Sequence, residues 1–386
     1  IFNWGCRQLR VIPISESDGP RAMLRSLRGA AELVRAGELV CIFAEGSITR
    51  TGNLLRFQRG FTRIMKGLDA PIIPVHIDRM WGSIFSFEGG KAFWKIPHLG
   101  RSEVLVSFGE AMPATSTEAE VRQAVSELGA EAFALRKSDQ VLLHEAFISS
   151  ARSAGGRLCM ADTTGKTLSY RRALAGALAL ADDFKKRLPP GADNVGVLLP
   201  ATVGSAMTNI ALLLAGKVPV NLNWTAGKEH IRSAVLQCGI KAIFTSREFL
   251  EKVGLESLGL AVGVDAPRHF YLEDVGAELG AWTKLRAALK ARFLPGFLLR
   301  RIYGRSGRSV DDLCTIIFSS GSTGEPKGVM LTHANVMSNL EGLSQVFSAT
   351  PSDRVAGVLP FFHSLGFTAT LWLPLEGQGS PPCCPA

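Results

Sequence analysis

Residues 319–328, SSGSTGEPKG, gather the groups that hold phosphate. Gly321, Gly324 and Gly328 let backbone N–H groups come close to an anion and point at it together. Ser319, Ser320, Ser322 and Thr323 add hydroxyl donors, and Lys327 adds a positive charge. That is the chemistry of a polyphosphate cradle. It is not a Walker loop, because the lysine is followed by Gly328 rather than Ser or Thr. The dinucleotide fingerprint G-x-G-x-x-G is absent as well. The apolar run CTIIF comes directly before the loop and VMLTHANV follows it, flanks that a flexible linker does not require.

A second loop has phosphate-binding character of a different kind. Residues 43–61, FAEGSITRTGNLLRFQRGF, place Glu45, Gly46 and Ser47 just after an apolar run. Arg50, Arg56 and Arg59 follow, and guanidinium forks suit phosphate oxygens. Taken alone, a basic loop after a strand is equally a solvated turn. Metal chemistry has no foothold: Cys6, Cys41, Cys159, Cys238 and Cys314 are scattered singly, and neither His333 nor His363 has a second ligand at metal spacing. His333 reads as structural. Cys41, Cys238 and Cys314 lie in or beside apolar segments and read as buried, reduced thiols.

The first loop with its VMLTHANV continuation resembles the phosphate loop of adenylate-forming enzymes, the acyl-CoA and acyl-carrier-protein synthetases. PFFHSLGF (residues 360–367) resembles that family's next motif, and VGVLLPATVGSAMTNIALLLAGKVPVNLNWTAG resembles its first βαβ core. The resemblance implies that Ser319, Ser320, Gly321, Ser322, Thr323, Gly324, Lys327 and Gly328 bind the phosphates of ATP with Mg²⁺, and that His363 borders the acyl and nucleotide pocket. It implies attack of a fatty-acid carboxylate on the α-phosphorus, giving acyl-AMP and pyrophosphate. FAEG resembles the F-P-E-G motif of glycerolipid acyltransferases, with Ala44 in place of Pro, and APIIPVHID resembles their later strand. By that likeness Glu45, Gly46, Ser47 and Arg50 would meet the acceptor's phosphate. Such enzymes deprotonate the acceptor with a His–Asp pair in H-x-x-x-x-D ahead of this motif, and no His precedes His76. The catalytic residues of acyl transfer are therefore unknown here, and the chain alone is expected to be inactive in it.

The order of the motifs, together with NWTAG, IFTSREFL and YLEDV, resembles the bifunctional acyltransferase/acyl-acyl-carrier-protein synthetases across nearly the whole chain. The likeness implies phospholipid remodelling: fatty-acid activation, loading of acyl carrier protein, and transfer to a lysophospholipid of the 2-acylglycerophosphoethanolamine type. It also implies work at the cytoplasmic face of a bacterial inner membrane. A long-chain acyl-CoA synthetase fused to a lysophosphatidate acyltransferase, and a nucleotide- or lipid-binding chain without catalysis, stay open.

These motifs need α/β units to position them. Residues 21–36 and 117–137 have helical apolar spacing, the second opening on acidic residues, while residues 39–43, 71–77 and 103–109 read as strands. From Val195 strands and helices alternate through residues 195–199, 205–215, 218–222, 228–238 and 241–246, which implies a parallel sheet. A strand over 314–318 and a helix from His333 flank the phosphate loop. The expected fold is α/β, a glycerolipid-acyltransferase-like domain over 1–138 followed by the N-terminal part of an adenylate-forming synthetase over 139–386. The chain starts without Met and ends in GQGSPPCCPA, so both ends read as cut, the tail as a truncated or frameshifted frame.

The 386 residues are 46% hydrophobic and 20% charged, a globular composition. The net charge is +9, and eight positive residues with no acidic one fall within 284–308, so the rest carries +1. A local patch is not a nucleic-acid footprint. With FLPGFLL between its charges, it fits a membrane surface, an acidic carrier protein or a solvated arm.

Overall fold

The computed structural model describes residues 11–12, 19–50, 52–81, 83–87, 103–135, 141–255, 266–304, 307–319, 326–347, 353–376 and 383–385. The chain divides into two compact units, Ile1–Ser138 and Asp139–Ala386. Among the described residues no helix is long and apolar enough to cross a membrane.

In the first unit, α1 (Pro20–Arg35) opens on a proline, whose missing N–H is no loss in a first turn. It buries Leu27, Ala30 and Ala31 against Ile64 and Met65 of α2 (Gly60–Met65). Strand β1 (Val75–Asp78) pairs antiparallel with β2 (Leu105–Phe108). The strand expected from residue 71 starts late because Pro71 and Pro74 have no N–H for a ladder; ahead of it Ile72 makes an isolated bridge to Met112. Helix α3 (Glu118–Ala134) opens with a capping box. The Glu120 N–H donates to Thr117 Oγ1 at 3.3 Å, and the Thr117 N–H donates to the Glu120 carboxylate at 2.8 Å.

Two expectations fail here for one reason. Residues 39–43 form no strand, since β1 and β2 pair only with each other and leave LVCIF without a ladder among the described residues. A continuous apolar run becomes a strand only where neighbours bury it. Val40 packs on the α1 cluster, but Leu39 and Phe43 are 96% and 77% exposed. Cys41 lies in the same segment and is exposed rather than buried.

The second unit has the expected parallel sheet. Helices α4 (Leu143–Ala154) and α5 (Tyr170–Arg187) flank the antiparallel pair β3 (Leu158–Ala161) and β4 (Thr167–Ser169). The repeat then runs β5 (Asn194–Val197), α6 (Val203–Ala215), β6 (Val218–Asn221), α7 (Lys228–Gln237), β7 (Ala242–Thr245), α8 (Arg247–Lys252), β8 (Arg268–Tyr271). The strands lie parallel in the order β6-β5-β7-β8. Alternate residues point to opposite faces: Ala242 and Phe244 join α5 and α6 in one core, and Ile243 joins α7 and α8 in the other. Gly196 has to be glycine, because a Cβ there would lie 2.9 Å from Ile243 and 3.1 Å from Leu222.

Residues 272–303 form three helices, α9 (Leu272–Glu278), α10 (Ala281–Phe293) and α11 (Gly296–Tyr303). Strand β9 (Leu313–Ser319) then turns back as β10 (Lys327–Thr332) in an antiparallel pair, a strand the sequence reading did not single out, and α12 (His333–Val346) follows. Cys314 in β9 is fully buried, and burial pushes its thiol well up; Cys238 is half-buried. After β11 (Val355–Gly357) the chain enters a π-helix (Gly366–Trp372) and α13 (Leu373–Glu376); β12 (Cys383–Pro385) lies parallel between β11 and β3.

A reciprocal amide pair locks α6 to β6. Asn209 Nδ2 donates to Asn221 Oδ1 at 3.1 Å and Asn221 Nδ2 returns the bond at 2.8 Å, with both side chains buried. Removing one partner strands the other away from water. Asn209→Leu is expected to lose about 2 kcal/mol of stability, and Asn209→Leu/Asn221→Leu to lose less than the sum of its singles. Urea unfolding of the four proteins checks both statements.

Candidate functional site

The base of the phosphate loop is a strand pair. Lys327 faces Ser319 and Gly328 faces Phe318 across β9 and β10, and Ser319 Oγ donates to the Lys327 carbonyl at 3.4 Å. Gly328 has to be small, since a Cβ would meet the Phe318 ring at 3.1 Å and Ile316 at 3.1 Å. Ser320, Gly321, Ser322, Thr323 and Gly324 lie outside the described residues. The loop's C-terminal side is tied to the unit: Gln237 Nε2, from the end of α7, donates to the Pro326 carbonyl at 2.9 Å. Lys327 is exposed, with its side chain available to a ligand.

A small cleft of about 10 Å³ opens at this base, lined by Asn223, His230, Ala234, Phe318, Ser319 and Pro326. Its position follows from the strand directions. Thr315 Oγ1 in β9 donates to the Pro219 carbonyl in β6 at 2.8 Å, and four residues further along, Ser319 at the end of β9 and Asn223 just past β6 both line the cleft. Both strands therefore run the same way and end at the cleft, the usual place for a ligand in an α/β sheet. Asn223, His230 and Gln237 were not singled out as site residues. Asn223 could have been found through NWTAG, whereas His230 and Gln237 sit on a helix with no motif around them.

The PFFHSLGF segment comes to the same region through aromatic contacts. Trp224, next to Asn223, meets Phe362 edge-on at 6.0 Å and Phe249 at 5.5 Å. His363 is exposed, its ring 4.9 Å from that of Phe362. The His363 carbonyl accepts from the Phe367 N–H at 2.8 Å at the entry to the π-helix. Gly366 passes against the carbonyl oxygens of Leu359 and Pro360, leaving no room for a side chain. Among the described residues no three metal-ligating side chains gather, and the cleft lining contains no carboxylate. These residues offer no cage for Mg²⁺, and no step is assigned to it.

His333 lies in the core rather than at the cleft. It is 1% exposed, and its Nδ1 accepts from the Leu143 N–H at 3.2 Å. Burial, reinforced by the Arg308 guanidinium, lowers its pKa to about 4. His144 stands 5.4 Å away, edge-on and also buried; burial first, then His333 and Arg308, hold it well below the ordinary range.

In the first unit, the FAEG loop is braced from inside. The Leu55 N–H donates to the Glu45 carboxylate at 2.6 Å, and the Gln58 N–H to the Ala44 carbonyl at 2.7 Å. Arg122 of α3 donates to the carbonyls of Leu54 and Leu55 at 3.0 and 2.9 Å. Glu45 thus shapes the loop, as suits a carboxylate better than a phosphate contact does. Gly46, with φ +72, allows the turn, and Ser47 and Arg50 are exposed. Arg50 lies over the Phe87 ring at 5.3 Å. His76 packs against Gly129 of α3, where a Cβ would meet its ring at 3.1 Å.

The sequence model of the family described as AMP-binding enzyme matches residues 147–380. The chain belongs to that family. The model described as acyltransferase matches residues 1–78, so the AMP-binding unit follows an acyltransferase domain. Among curated relatives, 4-coumarate–CoA ligase-like 6 of Arabidopsis thaliana is 29% identical over 181 residues, 46% of this chain and 30% of the relative. The medium-chain-fatty-acid–[acyl-carrier-protein] ligase TtuA of Teredinibacter turnerae is 40% identical over 65 residues, 17% of this chain and 10% of the relative. The chain spans from 10% to 42% of the length of the curated relatives it matches. Among solved structures, VinN with 3-methylaspartate superposes with a TM-score of 0.50 at 17% identity, covering 63% of this chain and 61% of that one. The inhibitor-bound N-terminal domain of FACL13 from Mycobacterium tuberculosis gives 0.50 at 18%, covering 64% and 57%. These likenesses show the α/β fold of the AMP-binding unit.

The buried histidines give this unit an acid-sensitive core. An unfolded His333 binds a proton below about 6.5, while the folded one stays neutral down to about 4. The unfolded chain therefore holds more protons within that window, and stability falls as pH drops through it. The His333 share of the loss from pH 7 to 5 is about 2 kcal/mol. His333→Asn, which keeps an acceptor for the Leu143 N–H, is expected to flatten the urea midpoint against pH by that amount.

Proposed function

We propose that the AMP-binding unit activates a fatty acid for acyl transfer by the acyltransferase domain. The carboxylate oxygen attacks the α-phosphorus of ATP and pyrophosphate leaves; the thiol of acyl carrier protein then takes the acyl group and AMP leaves. The acceptor hydroxyl of a lysophospholipid, 2-acylglycerophosphoethanolamine, attacks the thioester and releases the thiol, at the cytoplasmic face of the membrane. The observation that carries this reading is the order of the two family matches in one chain, acyltransferase before AMP-binding enzyme. It is supported by a phosphate-type loop whose described base opens on a cleft at the ends of β6 and β9. In this reading Ser319, Lys327 and the glycines position the phosphates, and Arg50 with Ser47 meets the acceptor's phosphate. Loading of CoA, with a lysophosphatidate acceptor, is the second reading, favoured by the likeness to 4-coumarate–CoA ligase-like chains.

Fatty-acid-dependent ATP–pyrophosphate exchange by the full-length protein tests the activation step. Lys327→Ala is expected to slow exchange about 100-fold, the usual loss when a charge aimed at the reacting group is removed. Its urea midpoint should not move, because the side chain is exposed. Exchange that is independent of fatty acid, or unchanged in the variant, removes the assignment. Labelled fatty acid offered with acyl carrier protein and with CoA then separates the two carriers.

A further inference from the structure

Helix α10 is built the wrong way round for a surface helix. Apolar residues of such helices ordinarily turn their bulk to the core. Here Ala287 and Ala291 face the core, while Trp282, Leu285, Leu289 and Phe293 are exposed, Trp282 by 72% and Phe293 by 69%. At 3.6 residues per turn those four share an arc of about 80°, with Arg286 on one flank and Arg292 on the other. Helix α11 continues the pattern: Leu299 and Tyr303 are buried, while Phe297, Leu298 and Ile302 are exposed around Arg301.

The basic residues of 284–308 divide into two sets, which charge counting alone does not separate. Lys290 is held inside by Asp182 Oδ2 at 2.8 Å and the Tyr303 hydroxyl at 2.7 Å. Arg308 donates to the Leu213 carbonyl at 3.2 Å at the C-terminal end of α6, and Arg300 to Ser149 Oγ at 2.9 Å. Arg305 lies outside the described residues. Lys284 donates to the Gly276 carbonyl at 3.3 Å, and Arg286, Arg292 and Arg301 remain exposed, with no carboxylate paired to them among the described residues.

We propose that the outer faces of α10 and α11 dock on a membrane leaflet rich in anionic headgroups. The inference rests on the membrane part of the reading above and gives it a location. A large apolar stripe flanked by cations is the build of a helix lying in a membrane interface: rings and aliphatic chains enter the acyl boundary while arginines meet phosphates. An acidic protein would need an apolar groove set beside its negative charge to match both features, whereas an anionic leaflet supplies both at once. Arg292 lies over the Phe293 ring at 5.6 Å, while Trp282, Leu285 and Leu289 stay exposed, and exposed apolar patches of this kind mark contact surfaces.

Sedimentation of the full-length protein with vesicles tests this without fatty acid, ATP or carrier, so the outcome is separable from the acyl-transfer chemistry. Binding is expected to vesicles of phosphatidylglycerol with phosphatidylethanolamine, and to be much weaker with phosphatidylcholine alone. Each neutralised arginine is expected to weaken binding roughly fivefold, so Arg286→Gln/Arg292→Gln/Arg301→Gln should weaken it about 100-fold. Leu289→Ser/Phe293→Ser should weaken it at least roughly tenfold even at low salt. The control Arg172→Gln/Lys241→Gln/Lys252→Gln, exposed charges elsewhere in the unit, should stay within about twofold. Equal loss in the control, equal binding to phosphatidylcholine, or no binding by the unaltered protein overturns the proposal; in the last case an acidic protein partner inherits the patch. The substituted side chains are exposed, and unchanged melting temperatures show that the variants are folded.

Discussion

Burial of β6, β5 and β7 on both faces of their parallel sheet is the constraint from which the second unit follows. Central strands of a parallel sheet leave neither face in water, so they need helices above and below them. Phe244 on one side stacks at 4.2 Å on Phe184 of α5, while its neighbour Ile243 packs so closely on β5 that only Gly196 fits opposite. Strands held in one direction end together. That common edge is where Asn223 and Ser319 line a cleft.

The same sandwich makes every polar group inside it costly, and the unit meets this by pairing them. Asn209 and Asn221 exchange two hydrogen bonds, and Lys290, Asp182 and Tyr303 satisfy one another between α5, α10 and α11. Burial and the Asp182 carboxylate raise the Tyr303 phenol to about 12, so it stays a donor. Arg308 caps the last carbonyls of α6, where a cation suits the helix dipole. Ser205 Oγ and the indole N–H groups of Trp224 and Trp372 are exceptions. Burial keeps His333 and His144 neutral, which makes them the acid-labile part of the core.

In the first unit no comparable sheet organises the described residues, and side chains hold the loop shape instead. Glu45 and Arg122 grip the backbone of Leu54 and Leu55 from opposite sides, fixing a turn whose tip presents Ser47 and Arg50. The Glu45 carboxylate is thus used for its acceptor oxygens toward the loop's own amide.

Much was legible in the sequence because it depends on local chemistry. The βαβ series showed in its alternation of apolar strands and amphipathic helices, and the start of α3 in its acidic first turn. These signals are written in neighbouring residues, and short-range sterics and hydrogen bonding act on them directly. LVCIF misled, because the same five residues make a strand only where another strand offers a ladder. Lys290 and Arg308 looked no different from Arg286 and Arg292 until Asp182, Tyr303 and Leu213 were brought to them from up to 108 residues away. By itself the sequence determined which segments are strands and helices wherever pattern and neighbours agree. Only the tertiary structure decided which charges face water, which histidines lose it, and which side of α10 is out, because burial depends on what packs from a distance.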